Sequence, residues 1–162
     1  MRIGVVGDTH NNLASVERIV EIFNAARVSR VIHTGDITQA KVLDGFAELD
    51  AELHGVYGNN DLEREQLDTA AFQHGMQLVD GPVEYAWGSR RLLVAHDPRD
   101  FTGHLRRDHD LAVHGHTHLH RLEKIGTTLI FNPGECAGML AHHNRVGIVD
   151  LDSLRCELRR LG

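Results

Sequence analysis

The sequence predicts an α/β fold of two packed, mixed β-sheets flanked by helices. Three observations carry that prediction. Three times in the first half an apolar run stops at a polar loop and is followed by a segment of helical spacing, the alternation expected of a largely parallel sheet. In the second half strand-like runs dominate, which points to a second sheet packed on the first. At 162 residues the chain has the length of a single domain, residues 1–162, with a full-sized core.

The elements follow in order. Residues 3–6 form a short apolar run that ends at Gly7-Asp8-Thr9-His10, the pattern of a buried strand. Residues 12–26 place Leu13, Val16, Ile19, Val20 and Phe23 on one helical face, and Asn11 or Asn12 is positioned to cap it. Residues 30–34 are a second strand, stopping at Gly35-Asp36. Residues 39–49 read as a helix through Val42, Leu43, Phe46 and Leu49. Residues 52–57 are a third strand, ending at Gly58-Asn59-Asn60-Asp61, and residues 62–73 a third helix. Residues 83–87 and 90–95 flank Gly88-Ser89, a two-residue hairpin turn, and the second of these strands ends at His96-Asp97-Pro98.

Residues 99–110 carry Arg99, His104, Arg106, Arg107 and His109 with few apolar residues and read as an exposed loop with a short helix. Residues 111–113 are a short strand, 121–125 and 128–131 a pair joined at Gly126, and Asn132-Pro133-Gly134-Glu135 a tight loop. Residues 145–151 and 154–161 form a final hairpin around Asp152-Ser153.

Composition limits the function. Hydrophobic residues make up 41% and charged residues 25%, as in ordinary globular proteins. The net charge of -6 disfavours non-specific binding to nucleic acid or a membrane surface. No apolar run reaches membrane-spanning length, and Asp8 interrupts the N-terminal run too early for a signal peptide. Cys136 and Cys156 are too few for a disulfide framework and form no C-x-x-C motif. The expectation is a cytoplasmic chain with no membrane partner and no stable nucleic-acid partner.

In parallel sheets ligands bind beyond the carboxyl ends of the strands. Asp8, His10, Asp36, Asn59 and Asp61 all lie at such ends, so five metal-competent or acid-base residues are expected on one rim. Residues 113–120 read V-H-G-H-T-H-L-H and hold four of the 13 histidines, at alternate positions. Neutral imidazole is a common ligand for transition metals. Taken singly, these residues have plainer readings: Asp8 as a turn or cap residue, Gly35-Asp36 as a turn.

Taken together and in order, Asp-x-His at 8 and 10, Gly-Asp at 35–36, Gly-Asn-Asn-Asp at 58–61, His96 after an apolar strand, and Gly-His-Thr-His at 115–118 resemble the calcineurin-like metallophosphoesterases. The resemblance spans residues 3–134. It is strongest to the small single-domain branch that includes bacterial and archaeal phosphodiesterases and the retromer scaffold subunit. It implies two divalent transition metals roughly 3.5–4 Å apart. One would be held by Asp8, His10, Asp36 and His118, the other by Asp36, Asn59, His96 and His116, with Asp36 bridging. Residues 116–118, if extended, would point both rings into one site. Oxygen and imidazole ligands without thiolate fit manganese, the first expectation, or iron, zinc, nickel or cobalt, better than a calcium cage.

The implied activity is a dinuclear-metal-dependent phosphodiesterase that hydrolyses a small phosphodiester by attack of metal-bridging hydroxide. Asn60 and Asp61 are its remaining catalytic candidates. Asn60 can hydrogen-bond a phosphate oxygen, and Asp61 can orient a neighbouring His by taking its ring proton. The alternatives are a non-catalytic scaffold of the same fold and a phosphomonoesterase. All seven implied ligands are present, which favours the enzyme; the short chain leaves little for a peptide groove. Small relatives often form homo-oligomers.

Three positions depart from the family pattern. Asn60 stands where the phosphoprotein phosphatases have the His that donates a proton to the leaving group, which favours diesters or easily leaving alcohols. Asp97-Pro98 follows His96 where Gly is frequent. Glu135 follows Asn-Pro-Gly where relatives often carry Ser. Among the other histidines, His33, His54 and His114 are expected to be structural, His120 to stand at the mouth or the surface, His104 and His109 on a solvated loop face, and His142 and His143 exposed.

Overall fold

The computed structural model describes residues 1–162. The chain runs through β1 (Arg2–Val6), α1 (Leu13–Ala26), β2 (Arg30–His33), α2 (Ala40–Phe46), β3 (Glu52–Val56), α3 (Arg64–Gln73) and β4 (Gln77–Val79). It continues through β5 (Val83–Trp87), β6 (Arg90–Val94), β7 (Leu111–Val113), β8 (Arg121–Ile125), β9 (Thr128–Asn132), β10 (Arg145–Asp150) and β11 (Arg155–Arg160). Two mixed sheets result: six strands in the order β11-β10-β1-β2-β3-β4 and five in the order β5-β6-β7-β9-β8. No helix is long and apolar enough to cross a membrane.

Strand periodicity explains the layers. On β1, Ile3 and Val5 face the second sheet, while Gly4 and Val6 face α1. Between the sheets Ile3, Val5, Ile32 and Val56 meet Leu92, Val94, Leu111, Val113 and Phe131. On the other face, Val16, Ile19, Val20 and Phe23 of α1, with Val42, Leu43 and Phe46 of α2 and Leu67 of α3, cover the first sheet. Asn12 is the cap of α1, its Oδ1 accepting the N–H of Ser15 at 3.1 Å. Leu13, expected on the buried face, is instead 45% exposed.

Several expectations are corrected. The final hairpin joins the first sheet rather than the second. β2 pairs in parallel with one edge of β1, which leaves the other edge open, and β10 fills it antiparallel with Val149 opposite Ile3. β4 was not anticipated: three residues are too few to show a period. Residues 99–110 do begin with the short helix expected, but the segment is not wholly exposed. Asp97 caps a 3-10 turn over Pro98–Phe101, and Phe101 packs with Leu93, Ala95, Ala112 and Ile130 on the outer face of the second sheet. His109 beneath that loop is buried, its Nδ1 accepting the N–H of Arg106 at 2.9 Å. His104 is exposed as expected.

Gly147 of β10 marks how closely the sheets approach: a Cβ there would lie 2.4 Å from the Phe131 ring. Gly147→Ala is therefore expected to destabilise the fold by about 1–3 kcal/mol, read as a lowered urea midpoint at unchanged slope; an unchanged midpoint would mean that the sheets are not packed this tightly.

Candidate metal centre

The carboxyl ends of β1, β2, β3, β6 and β7 converge, and backbone hydrogen bonds tie the loops that leave them. Asp8 N donates to Gly35 O (2.9 Å), His10 N to Asp36 O (3.1 Å) and Gly115 N to His96 O (3.0 Å). The backbone is strained where they meet. Asp8 (φ 52°), His10 (φ 40°), Asp36 (φ 57°), His116 (φ 67°) and His118 (φ 60°) all adopt left-handed conformations. Such residues each cost on the order of 1 kcal/mol and gather where geometry serves a site. The extended backbone expected over residues 116–118 is thus replaced: two left-handed histidines bracket an exposed Thr117, whose hydroxyl accepts from Asn132 Nδ2 at 3.2 Å.

The side chains form two adjoining groups. In the first, single ligand atoms of Asp8, His10, Asp36 and His118 lie within 4.8 Å of one another. His10 Nε2 is 3.2 Å from Asp36 Oδ2 and His118 Nε2 is 3.5 Å from Asp8 Oδ1. In the second, His96 Nε2 lies 2.9 Å from Asn59 Oδ1, 3.2 Å from His116 Nδ1 and 3.4 Å from Asp36 Oδ1. Asp36 therefore adjoins both groups, with Oδ2 toward His10 and Oδ1 toward His96.

Neighbours orient each group. Asp36 is clamped by Asn60, whose backbone N donates to Oδ1 (2.9 Å) and whose Nδ2 donates to Oδ2 (2.8 Å). The backbone N of His116 donates to both oxygens of Asp8, at 3.2 and 3.1 Å. His96 Nδ1 lies 2.8 Å from the carbonyl of Thr34. A carbonyl only accepts, so Nδ1 carries a proton and Nε2 is the nitrogen turned toward Asn59 and Asp36. Asp61 is buried, but it does not orient a histidine as expected. Its Oδ2 accepts the backbone N–H groups of Asp36 (2.9 Å) and Gly58 (2.7 Å), and its Oδ1 accepts that of Thr38 (2.7 Å). Asp61 fixes the loop backbones rather than touching the reacting region.

The donor set fits divalent cations. His96 Nε2 confronts two acceptor oxygens, an arrangement that calls for a cation or a proton between them. His10 Nε2 is buried and lacks an aligned hydrogen-bond partner despite its closeness to Asp36. Burial, and then the charge of Asp36, push the Asp8 carboxyl up to about 8. Burial also acts to raise Asp36, but His10, the Asn60 N–H groups and His96 outweigh it and hold Asp36 well below the usual carboxylate range. Asp36 in turn raises His10, whereas burial and then His10 lower His118. Two crowded carboxylates and four imidazoles without thiolate match borderline transition metals.

Every residue singled out in the sequence is accounted for. Asp8, His10, Asp36, Asn59, His96, His116 and His118 line the two groups, and Asn60 and Asp61 brace them. His33, expected to be structural, is fully buried: its Nε2 pairs with Thr9 Oγ1 and its Nδ1 accepts the N–H of Gly35, both at 3.1 Å, and burial pushes it down to about 3. His54 is likewise buried, against Tyr85 and Trp87. His114 is buried with Nδ1 on the carbonyl of Gly115 (2.9 Å). His120 donates from Nδ1 to Asn132 O (3.0 Å). His142 is exposed, but His143 is half-buried, its Nδ1 accepting the N–H of His120 at 3.4 Å. Thr9 and Asn132 carry no sign of a supporting role in the sequence, because Thr9 meets His33 and Asn132 meets Gly115 and Thr117 only once the strands are paired.

Residues 1–154 match the calcineurin-like phosphoesterase superfamily domain. The chain is 31% identical over 156 residues to Phosphodiesterase MJ0936 of Methanocaldococcus jannaschii, covering 94% of each. It is 26% identical over 160 residues to Phosphodiesterase YfcE of Escherichia coli K12, covering 83% of this chain and 78% of that one. Among solved structures, an archaeal phosphodiesterase superposes with a TM-score of 0.89 at 29% identity, over 98% of this chain and 99% of that one. Vps29 of Entamoeba histolytica shares the fold, with a TM-score of 0.70 at 20% identity over 98% of both chains.

Removing the Asp61 carboxylate strands three N–H groups. Asp61→Ala is expected to lower the stability of the metal-free protein by about 3 kcal/mol or more, measured by chemical denaturation; a loss below about 1 kcal/mol would mean that the loops do not depend on it.

Proposed function

The chain belongs to the calcineurin-like phosphoesterase superfamily and is a phosphoric ester hydrolase, and from that premise we propose a phosphodiesterase with two divalent cations, cleaving small phosphodiesters. The observation that carries this reading is the double role of Asp36. One carboxylate adjoins the Asp8–His10–His118 group through Oδ2 and the Asn59–His96–His116 group through Oδ1, which is what a bridging ligand requires.

When bound, the cations supply Lewis acidity: they make a nucleophile of water at neutral pH and neutralise charge on the phosphoryl oxygens. Manganese is the proposed metal, with iron, zinc, nickel and cobalt as its competitors on the same donor set. The protein's own groups do the rest. Asn60 holds both oxygens of Asp36, the carbonyl of Thr34 fixes the ring of His96 through Nδ1, and the backbone N–H of His116 holds Asp8 in place. The pre-set geometry lowers the reorganisation needed during reaction. In the reaction the oxygen of water bonds to phosphorus and the phosphorus–oxygen bond to one alcohol breaks. The departing alkoxide takes its proton from solvent, because Asn60 has none to give at neutral pH. That favours diesters with good leaving groups over monoesters.

Reconstitution with manganese and comparison of bis(4-nitrophenyl) phosphate with 4-nitrophenyl phosphate test the reading. The diester is expected to turn over at least about 10-fold faster, and Asp36→Ala to lose more than about 100-fold in kcat/KM. A preference for the monoester would favour the phosphatase, and an unchanged rate in Asp36→Ala would place the reaction elsewhere.

A further inference from the structure

A buried carboxylate outside the metal-facing groups needs a role. Glu135 is fully buried and forms no ion pair. Its Oε2 accepts the N–H of Gly138 at 2.8 Å and its Oε1 that of Leu140 at 3.2 Å. Burying a charge only to hold a turn is an expensive device unless the shape of that turn matters.

The loop that Glu135 props is tied to the candidate centre on three sides. Cys136 N donates to Asp8 O (3.2 Å), Asn12 Nδ2 donates to Ala137 O (2.9 Å), and His143 Nδ1 accepts the N–H of His120 (3.4 Å). The charge of Glu135 also reaches Asp8 and His118. Between Glu135 and Arg145 the chain carries no Asp, Glu, Lys or Arg. Its crest instead exposes Met139 (62%) and Leu140 (39%). Leu13, next to Asn12, and Leu119, between His118 and His120, are exposed as well, at 45% and 50%. The segments that carry or are tied to His10 and His118 thus expose four large apolar side chains. The opposite side is charged: Asp97 Oδ2 lies 3.6 Å from His116 Nε2 and binds Arg99.

This asymmetry orients a diester. The leaving oxygen meets no acid from the protein and must face water, which an apolar wall would withhold. The apolar side remains for the substituent that stays on phosphorus. We propose that residues 136–140, propped by Glu135, form with Leu13 and Leu119 an apolar subsite for the retained aryl or alkyl substituent, and that Glu135 is the positioning residue of this subsite. The inference rests on the phosphodiesterase reading, but it can be tested apart from it.

Two esters with the same leaving group, phenyl 4-nitrophenyl phosphate and methyl 4-nitrophenyl phosphate, isolate the retained substituent. In the wild-type manganese enzyme the phenyl ester is expected to have a KM about tenfold lower. In the Met139→Ser/Leu140→Ser double variant the two KM values should agree within about twofold. Glu135→Ala should do the same, and Glu135→Gln, which keeps one acceptor oxygen, should restore part of the preference. Calorimetric titration with phenylphosphonate and methylphosphonate reads the subsite without turnover, with the same tenfold difference expected in Kd and its loss in the double variant. If neither ester is hydrolysed, the phosphodiesterase reading fails while the titration still decides the subsite. Equal KM and Kd values in the wild type overturn the proposal. So does a phenyl preference that survives the double variant, including the case in which that variant changes only the sedimentation behaviour and reveals a self-association face.

Discussion

The carboxylate of Asp61 accepts N–H groups from Gly58, Asp36 and Thr38, and so binds the loop after β3 to the loop after β2. The strained conformation of Asp36 (φ 57°) persists because its own N–H is held in this way. Asn60, one residue before Asp61, then grips both oxygens of Asp36. A single buried acid thereby sets the backbone on which the bridging candidate stands, and the other groups are arranged around it. The second sheet contributes through His96, whose ring is pinned to Thr34 at the end of β2. The packing of the two sheets and the geometry of the centre are therefore one problem: a shift between layers would move His96 relative to Asp36.

The same crowding makes the centre electrostatically incomplete on its own. Asp8 and Asp36 are buried close to each other, and burial with mutual repulsion raises the Asp8 carboxyl to about 8. His96 Nε2 faces an amide oxygen and a carboxylate oxygen at once. Each of these features disfavours the bare protein and favours the protein with divalent cations, so affinity for metal is built from the misfit of the groups without it. Strain in the backbone at Asp8, His10, Asp36, His116 and His118 belongs to the same pattern.

Much of this was legible in the sequence. Period and capping placed α1 with its cap at Asn11 or Asn12, of which the structure selects Asn12, and apolar runs stopping at polar loops placed β1, β2, β3, β6 and β7. What stayed hidden depends on contacts between distant segments. The final hairpin went to the first sheet because β1 had an open edge, a fact of pairing and not of local pattern. Asp61 reads as a partner for a histidine until its N–H partners at Asp36 and Thr38 are known. His116 and His118 converge through left-handed turns, although their alternate spacing suggested an extended strand. His109 lies under a loop whose composition looked exposed, because Phe101 anchors that loop to the second sheet.

The central claim is that two adjoining groups share Asp36 to hold two cations. The direct measurement is the anomalous scattering of crystals grown with manganese. The account predicts two peaks about 3.5–4 Å apart, one bounded by Asp8, His10, Asp36 and His118 and the other by Asp36, Asn59, His96 and His116. A single peak, or peaks away from Asp36, would contradict it.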